Sequence, residues 1–328
     1  MFLSTSETLD KVYLRSGAGS DDFLLRGIPY VIREGGLGRG LFSLVSSIVC
    51  HLHIADKYGM IPIVDLQSRR CEYTDDILEG LSSNAWDNYF EPVSKLALDD
   101  IDATGHCVLS QEGYPDGYPY SVSGYECFRQ IFSKYIRVKA QHQSEFEQHE
   151  GFMRYKVLGV HYRGQEMRTA RGHWYPPSLK QIVTAIDHAL NTHGFDRIFV
   201  VTEDSDYLLS LQRRYGRMMF SLDSYRSKSP VNSYKIYPRA AHKYLLGKEC
   251  LFDTMMLGKC HGLVRCTSNI AEGARLFRGK AYDFEIKINN GPNNAQFGRL
   301  RLHQYSWRYK SIAPAWAGGF NSQAITVL

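Results

Sequence analysis

From residue 28 onward, short apolar runs alternate with stretches of helical spacing. "YVI" leads into a glycine turn at Gly35 to Gly40. Leu41, Leu44, Val45, Ile48 and Leu52 then recur on one helix face, and "IPIVDL" follows as a second apolar run. Strand, turn, helix, strand is a βαβ unit. From Asp75 to about Tyr120 the pattern weakens into loops and short helices, with Trp86, Tyr89 and Phe90 as packing anchors, and helical spacing returns over roughly Cys127 to Arg154. The change of texture near residue 150 divides the chain into 1–150 and 151–328. Beyond it the spacing predicts strands at 157–160, 197–202, "MMFS" and 262–266, and helices at about 178–193, 205–215 and 247–258. Strands separated by helices imply mostly parallel sheets covered on both faces, an α/β fold in two halves.

Composition changes this picture little. The 328 residues are 44% hydrophobic and 22% charged, ordinary for a folded domain. A net charge of +5, with Lys and Arg spread along the chain, fits anionic small molecules or an anionic membrane face. No finger, recognition-helix or aromatic RNA-reading motif accompanies it, so nucleic acid is not an expected partner. Seven cysteines with no CxxC pair read as reduced thiols, which argues against a zinc site or a disulfide framework. No signal pattern and no membrane-length apolar run is seen, so the expected location is cytoplasmic.

In open parallel sheets ligands sit beyond the carboxyl ends of the strands. Four polar clusters fall at such places: the turn Gly35 to Gly40, the loop after Val160, "TEDS" after Val201 and "CTSN" after Val264. Each has a plainer reading. The glycines Gly36 and Gly38 suit a tight turn as well as a phosphate cradle backed by Arg39. Asp204 or Ser205, and Ser268 or Asn269, suit helix caps as well as ligand contacts. The loop after Val160 is the most specific, because Arg163, two residues past His161, offers a bidentate donor for phosphate oxygens; its plainer reading is an ion pair with Glu166.

"GVHYRGQE" with "HWYPPSLKQIVTAI", then "RIFVVTEDSDYLLSLQRRYG" and "LFDTMMLGKCHGLVRCTSNIAE", resemble in order and spacing the three peptide motifs of the GDP-fucose-dependent fucosyltransferases. The α1,6-type enzymes, including the bacterial nodulation fucosyltransferase, are the nearer branch; the α1,2 and protein O-fucosyltransferases are more distant. "GGLGRGLF" resembles the glycine-rich N-terminal motif of the same superfamily. The resemblance implies a GT-B fold of two Rossmann-like domains with mostly parallel sheets facing a central cleft. Residues 1–150 would lie on the acceptor side and 151–328 would hold the GDP-sugar. It places His161 near the guanine, Arg163 on the β-phosphate, Glu203 and Asp204 in the second motif, Asp253 on the guanine amide edge, and Ser268 and Asn269 on the phosphates. It implies no metal and no cofactor beyond the GDP-fucose donor. Two departures stand out: Gly164 replaces a second Arg, and Arg171 falls where some relatives carry an acid proposed as the base.

The resulting expectation is an inverting transferase. It would move fucose from GDP-fucose to a hydroxyl of an oligosaccharide or lipid-linked glycan, in bacterial surface polysaccharide synthesis. Arg163 would stabilise the leaving diphosphate and Glu166 would accept the proton, with Glu34 and Asp116 as weaker candidates for that task. "DSD" at 204–206 reads as a helix start, and no His and Cys cluster has ligand spacing, so no metal is expected. Two alternatives stay open: another nucleotide sugar such as GDP-mannose, or a nucleotide- or glycan-binding protein without turnover. The basic, aromatic segment "RLRLHQYSWRYKSIAPAW" either packs back on the N-terminal half or rests at the inner membrane, a peripheral contact.

Overall fold

The computed structural model describes residues 2–4, 25–74, 80–101, 107–115, 125–168, 173–227, 233–293, 303–314, 319–320 and 325–328. Its chain separates into two compact units, residues 1–147 with 239–251 and residues 148–238 with 252–328. The return of 239–251 to the first unit was not foreseen.

The first unit carries a parallel sheet of β1 (Phe2–Ser4), β2 (Pro29–Arg33), β3 (Ile61–Asp65) and β4 (Cys107–Leu109), in the order β1-β4-β2-β3 among the described residues. Helix α1 (Leu41–Tyr58) crosses from β2 to β3 with Leu41, Leu44, Val45, Ile48 and Leu52 buried, as their spacing requires. Gly59 ends it in the left-handed conformation, its N–H bonding to Ala55 and Asp56 carbonyls. Trp86, Tyr89 and Phe90 are buried anchors, and the Tyr89 hydroxyl donates to the Tyr244 carbonyl. The single helix expected over 127–154 is instead α2 (Tyr125–Tyr135), α3 (Ala140–Glu147) and a 3-10 turn at Glu150–Arg154. The break has a backbone cause: Arg137 O accepts from Glu91 N–H and Lys139 N–H donates to Tyr89 O, so these groups pair with residues 89–91 and leave the helical ladder.

The second unit is built on β5 (Val157–His161), β6 (Arg197–Val201), β7 (Met219–Phe220), β8 (Gly262–Cys266), β9 (Phe284–Ile288) and β10 (Ile325–Val327), in the order β10-β9-β8-β5-β6-β7. All neighbours are parallel except the edge pair β9 and β10. The crossovers are α4 (Leu179–His193), α5 (Ser205–Tyr215), α6 (His242–Lys259) and α7 (Asn269–Arg278). Ser178 caps α4 in a reciprocal box with Gln181, and Gly194 closes it. Helix α6 starts five residues earlier than its apolar spacing suggests, and the unit division falls within it. Of the C-terminal segment, α8 (His303–Ile312) belongs to the second unit and buries Trp307 there, while Tyr309 is exposed.

β9 escaped the sequence reading because charged residues interrupt it. Its Glu285 is buried by a specific partner: Arg265 of β8, 2% exposed, donates to Glu285 and, at 2.7 Å, to Glu272 of α7. Arg275 adds a second cation to Glu272 at 2.8 Å. Removing one member of a buried ionic group leaves charges without compensation. Arg265→Met should therefore lower unfolding stability by about 3–5 kcal/mol in urea denaturation. Replacing Arg265, Glu272 and Glu285 together with apolar residues should recover most of that loss.

Candidate functional site

Chain order reverses across the β5–β8 pair: the chain leaves β5 toward β6 and leaves β8 toward β9. A crevice opens at such a switch point because successive crossovers go to opposite sides. The residues facing it are those that end β5 and β8 and start α7.

His161, the last residue of β5, is 1% exposed. Its Nδ1 lies 3.2 Å from Ser268 Oγ and 3.8 Å from Cys266 Sγ. Ser268 caps α7, its Oγ accepting the Ala271 N–H at 3.1 Å and sharing a second hydrogen bond with Nδ1, whose direction follows the ring's tautomer. Burial, helped by the Arg163 and Arg265 charges, lowers the His161 pKa to about 3 and keeps the ring neutral. One polar link thus joins the end of β5 to the first turn of α7, where Asn269 follows the cap.

Arg163 is half-buried, and among the described residues no carboxylate is bonded to its guanidinium. Its neighbours are pinned: Tyr162 N–H bonds to Val201 O at 3.0 Å, and Gly164 N–H to Glu203 Oε1 at 2.7 Å. The departure at Gly164 has a steric reason, since a Cβ there would lie 2.9 Å from the Asp204 Cβ. No second Arg fits. Glu166 lies on the 3-10 turn Gln165–Arg168, with its side chain outside the described part; Asp116 and Arg171 also fall outside the described residues.

Asp204 is committed to the protein itself. Oδ1 caps α5 through the amides of Asp206 and Tyr207, and Oδ2 accepts from Arg168 at 3.1 Å. The cap is formed, and its second oxygen positions Arg168. Asp253 on α6 is 7% exposed and accepts from the Ser224 hydroxyl at 3.0 Å. The loop carrying Ser224 is in turn paired with the second motif, Ser227 N–H donating to Glu203 O and Ser205 N–H to Ser227 O. The ends of β5, β6 and β8 and the α6 acid therefore belong to one connected set in the second unit.

The glycine turn of the first unit has its donors engaged within the protein. Gly36 and Gly38 both have positive φ, but Gly36 N–H bonds to Arg70 O and Gly38 N–H to Glu72 Oε1 at 2.6 Å. Arg39 points inward, donating to Glu34, the Gly35 and Ser43 carbonyls and Ser47 Oγ. Glu34 is fully buried. Burial alone would raise its pKa, but the His51, Arg39 and Gly113 donors outweigh it and hold the pKa low. A buried, paired carboxylate is a poor proton acceptor for a substrate, so the weaker candidacy of Glu34 lapses.

Sequence reasoning gave no role to Arg168, Tyr162, Tyr207 or Trp307, which pack around one another. The available signal was an Arg five residues past Arg163 in a stretch otherwise rich in ligand-type residues. Among the described residues no group of three or more His, Cys, Asp or Glu is placed to hold a metal ion.

No protein-family model and no curated protein matches the chain. Solved structures do. The NodZ α-1,6-fucosyltransferase co-crystallised with GDP superposes with a TM-score of 0.55 at 15% identity, over 80% of this chain and 96% of that one. The fucosyltransferase NodZ from Bradyrhizobium gives 0.55 and 15% over 79% and 96%. NodZ soaked with GDP-fucose gives 0.55 and 15% over 80% and 95%. The fold is of the GT-B type. The GT-B likeness extends through both units, since it covers four fifths of the chain.

His161 gives a pH test of this geometry. Its native pKa lies below the unfolded value of about 6.5, so the unfolded chain takes up the proton first as pH falls. The stability is complete above pH 6.5 and is lost as pH drops toward 3. Between pH 7 and 5, urea denaturation should show the wild type losing about 2 kcal/mol more than His161→Gln. Parallel losses in the two proteins would contradict a buried neutral ring.

Proposed function

We propose that the protein is an inverting, metal-independent fucosyltransferase that moves L-fucose from GDP-fucose to a hydroxyl of a glycan acceptor in the cytoplasm. One observation carries the reading: an Arg whose guanidinium bonds to no carboxylate among the described residues, with the Glu203 charge nearby, stands at the switch point of a GT-B fold. A guanidinium and helix amides together form a site for a diphosphate. In a direct displacement the acceptor oxygen bonds to the sugar's anomeric carbon as the carbon–oxygen bond to the β-phosphate breaks, and the electron pair leaves with GDP. Arg163 would offset the charge that develops on that phosphate, and the start of α7, with Ser268 and Asn269, would hold the phosphates. Asp253, a buried carboxylate, suits the N–H edge of guanine. The acceptor's proton would pass to Glu166, three residues from Arg163.

Arg163→Ala should lower turnover of GDP-fucose by about 100-fold or more, with Lys a poor substitute because it lacks the bidentate fork. Near-normal turnover in the Ala variant would remove Arg163 from the site. Two titrations separate the acidic roles. Glu166→Gln should bind GDP as the wild type does while kcat falls sharply, whereas a drop in both would make Glu166 a partner of Arg163. Asp253→Asn should weaken GDP while leaving UDP and ADP unchanged, and an unchanged GDP affinity would exclude base reading by Asp253.

A further inference from the structure

The loop that presents Arg163 is closed by Arg168. The Arg168 Nη2 donates to Asp204 Oδ2 at 3.1 Å and to the Tyr162 hydroxyl at 3.3 Å. Its guanidinium also lies between two aromatic faces, 5.2 Å from the Tyr207 ring centre and 4.4 Å from that of Trp307. Tyr207 stacks on Tyr162, 4.0 Å between centres and 7° from parallel. Trp307 comes from α8, far along the chain, and is fixed by its Nε1 donating to the Pro176 carbonyl at 3.0 Å. The C-terminal helix therefore covers a cation that ties the end of β5 to the start of α5.

We propose that Trp307 and Arg168 form a clamp through which the C-terminal helix sets the position of Arg163; both are positioning residues for the donor diphosphate, which rests on the reading that Arg163 binds it. The physical argument is desolvation. A tryptophan face over a guanidinium excludes water, so the bonds from Arg168 to Asp204 and Tyr162 act in a medium of lower dielectric and are stronger for it. Without the indole, water reaches Arg168 and competes for both acceptors. The stretch from Arg163 to Arg168 would then be held chiefly by the Gly164 amide on Glu203. The α5 cap itself survives, since Asp204 Oδ1 makes it independently of Arg168.

The test is hydrogen exchange on the unliganded full chain, followed by kinetics with GDP-fucose, for Trp307→Ala, Trp307→Phe and Arg168→Met. In Trp307→Ala and Arg168→Met the amides of 163–168 should exchange about 10-fold faster, with those of β6 unchanged. The KM for GDP-fucose should rise about 10-fold. Trp307→Phe keeps an aromatic face and should restore most of both. Unchanged exchange at 163–168 in the Ala and Met variants would overturn the clamp. Faster exchange with an unchanged KM would overturn its positioning role. Exchange needs no donor, so failure of the wild type to turn over GDP-fucose would be a separate result, overturning the functional reading and with it the diphosphate as the clamp's purpose.

Discussion

The hydrogen bond between Ser268 and a buried, neutral His161 is the contact on which the second unit's site depends. It joins the last residue of the central strand to the cap of the helix that starts across the switch point. A charged imidazole there would be buried away from water beside two arginines. The ring must therefore stay neutral, and burial enforces this. The residues after His161 inherit its fixed position: Tyr162 is bonded to β6 and Gly164 to Glu203, with the half-buried Arg163 between them.

A second constraint runs beneath the first. Parallel strands buried on both faces ordinarily read as apolar runs, yet β8 and β9 carry Arg265 and Glu285 into the core. Such an ionic group adds little net stability over well-packed apolar residues, but it is unforgiving of losing one member. Arg265 also bonds to Glu272 of α7, so the helix whose start faces the switch point is fixed to the sheet along its first turn. The ionic group and the His161–Ser268 bond hold the same helix from two sides.

Much of this was legible in the residues. The βαβ unit at 29–65, the caps at Asp204 and Ser268, and the strand Gly262–Cys266 follow from periodicity and capping chemistry, which are local. The features that were missed are non-local. Val138 looks like part of a helix until Phe90 pairs with its backbone, and Glu285 looks like a surface residue until Arg265 lies beside it. Gly36, Gly38 and Arg39 have the composition of a phosphate cradle, and only tertiary contacts with Arg70, Glu72 and Glu34 show that their donors are already engaged. Trp307 had an identifiable aromatic character, but its seat on Arg168 joins positions that no sequence pattern links.

The most direct measurement is a donor screen on the purified full chain, monitoring release of nucleotide from GDP-fucose, GDP-mannose and UDP-sugars with and without excess EDTA. The account predicts release from GDP-fucose well above the others and unaffected by the chelator. Equal release from all donors, no release from GDP-fucose, or activity that vanishes with EDTA and returns with one divalent ion would contradict it.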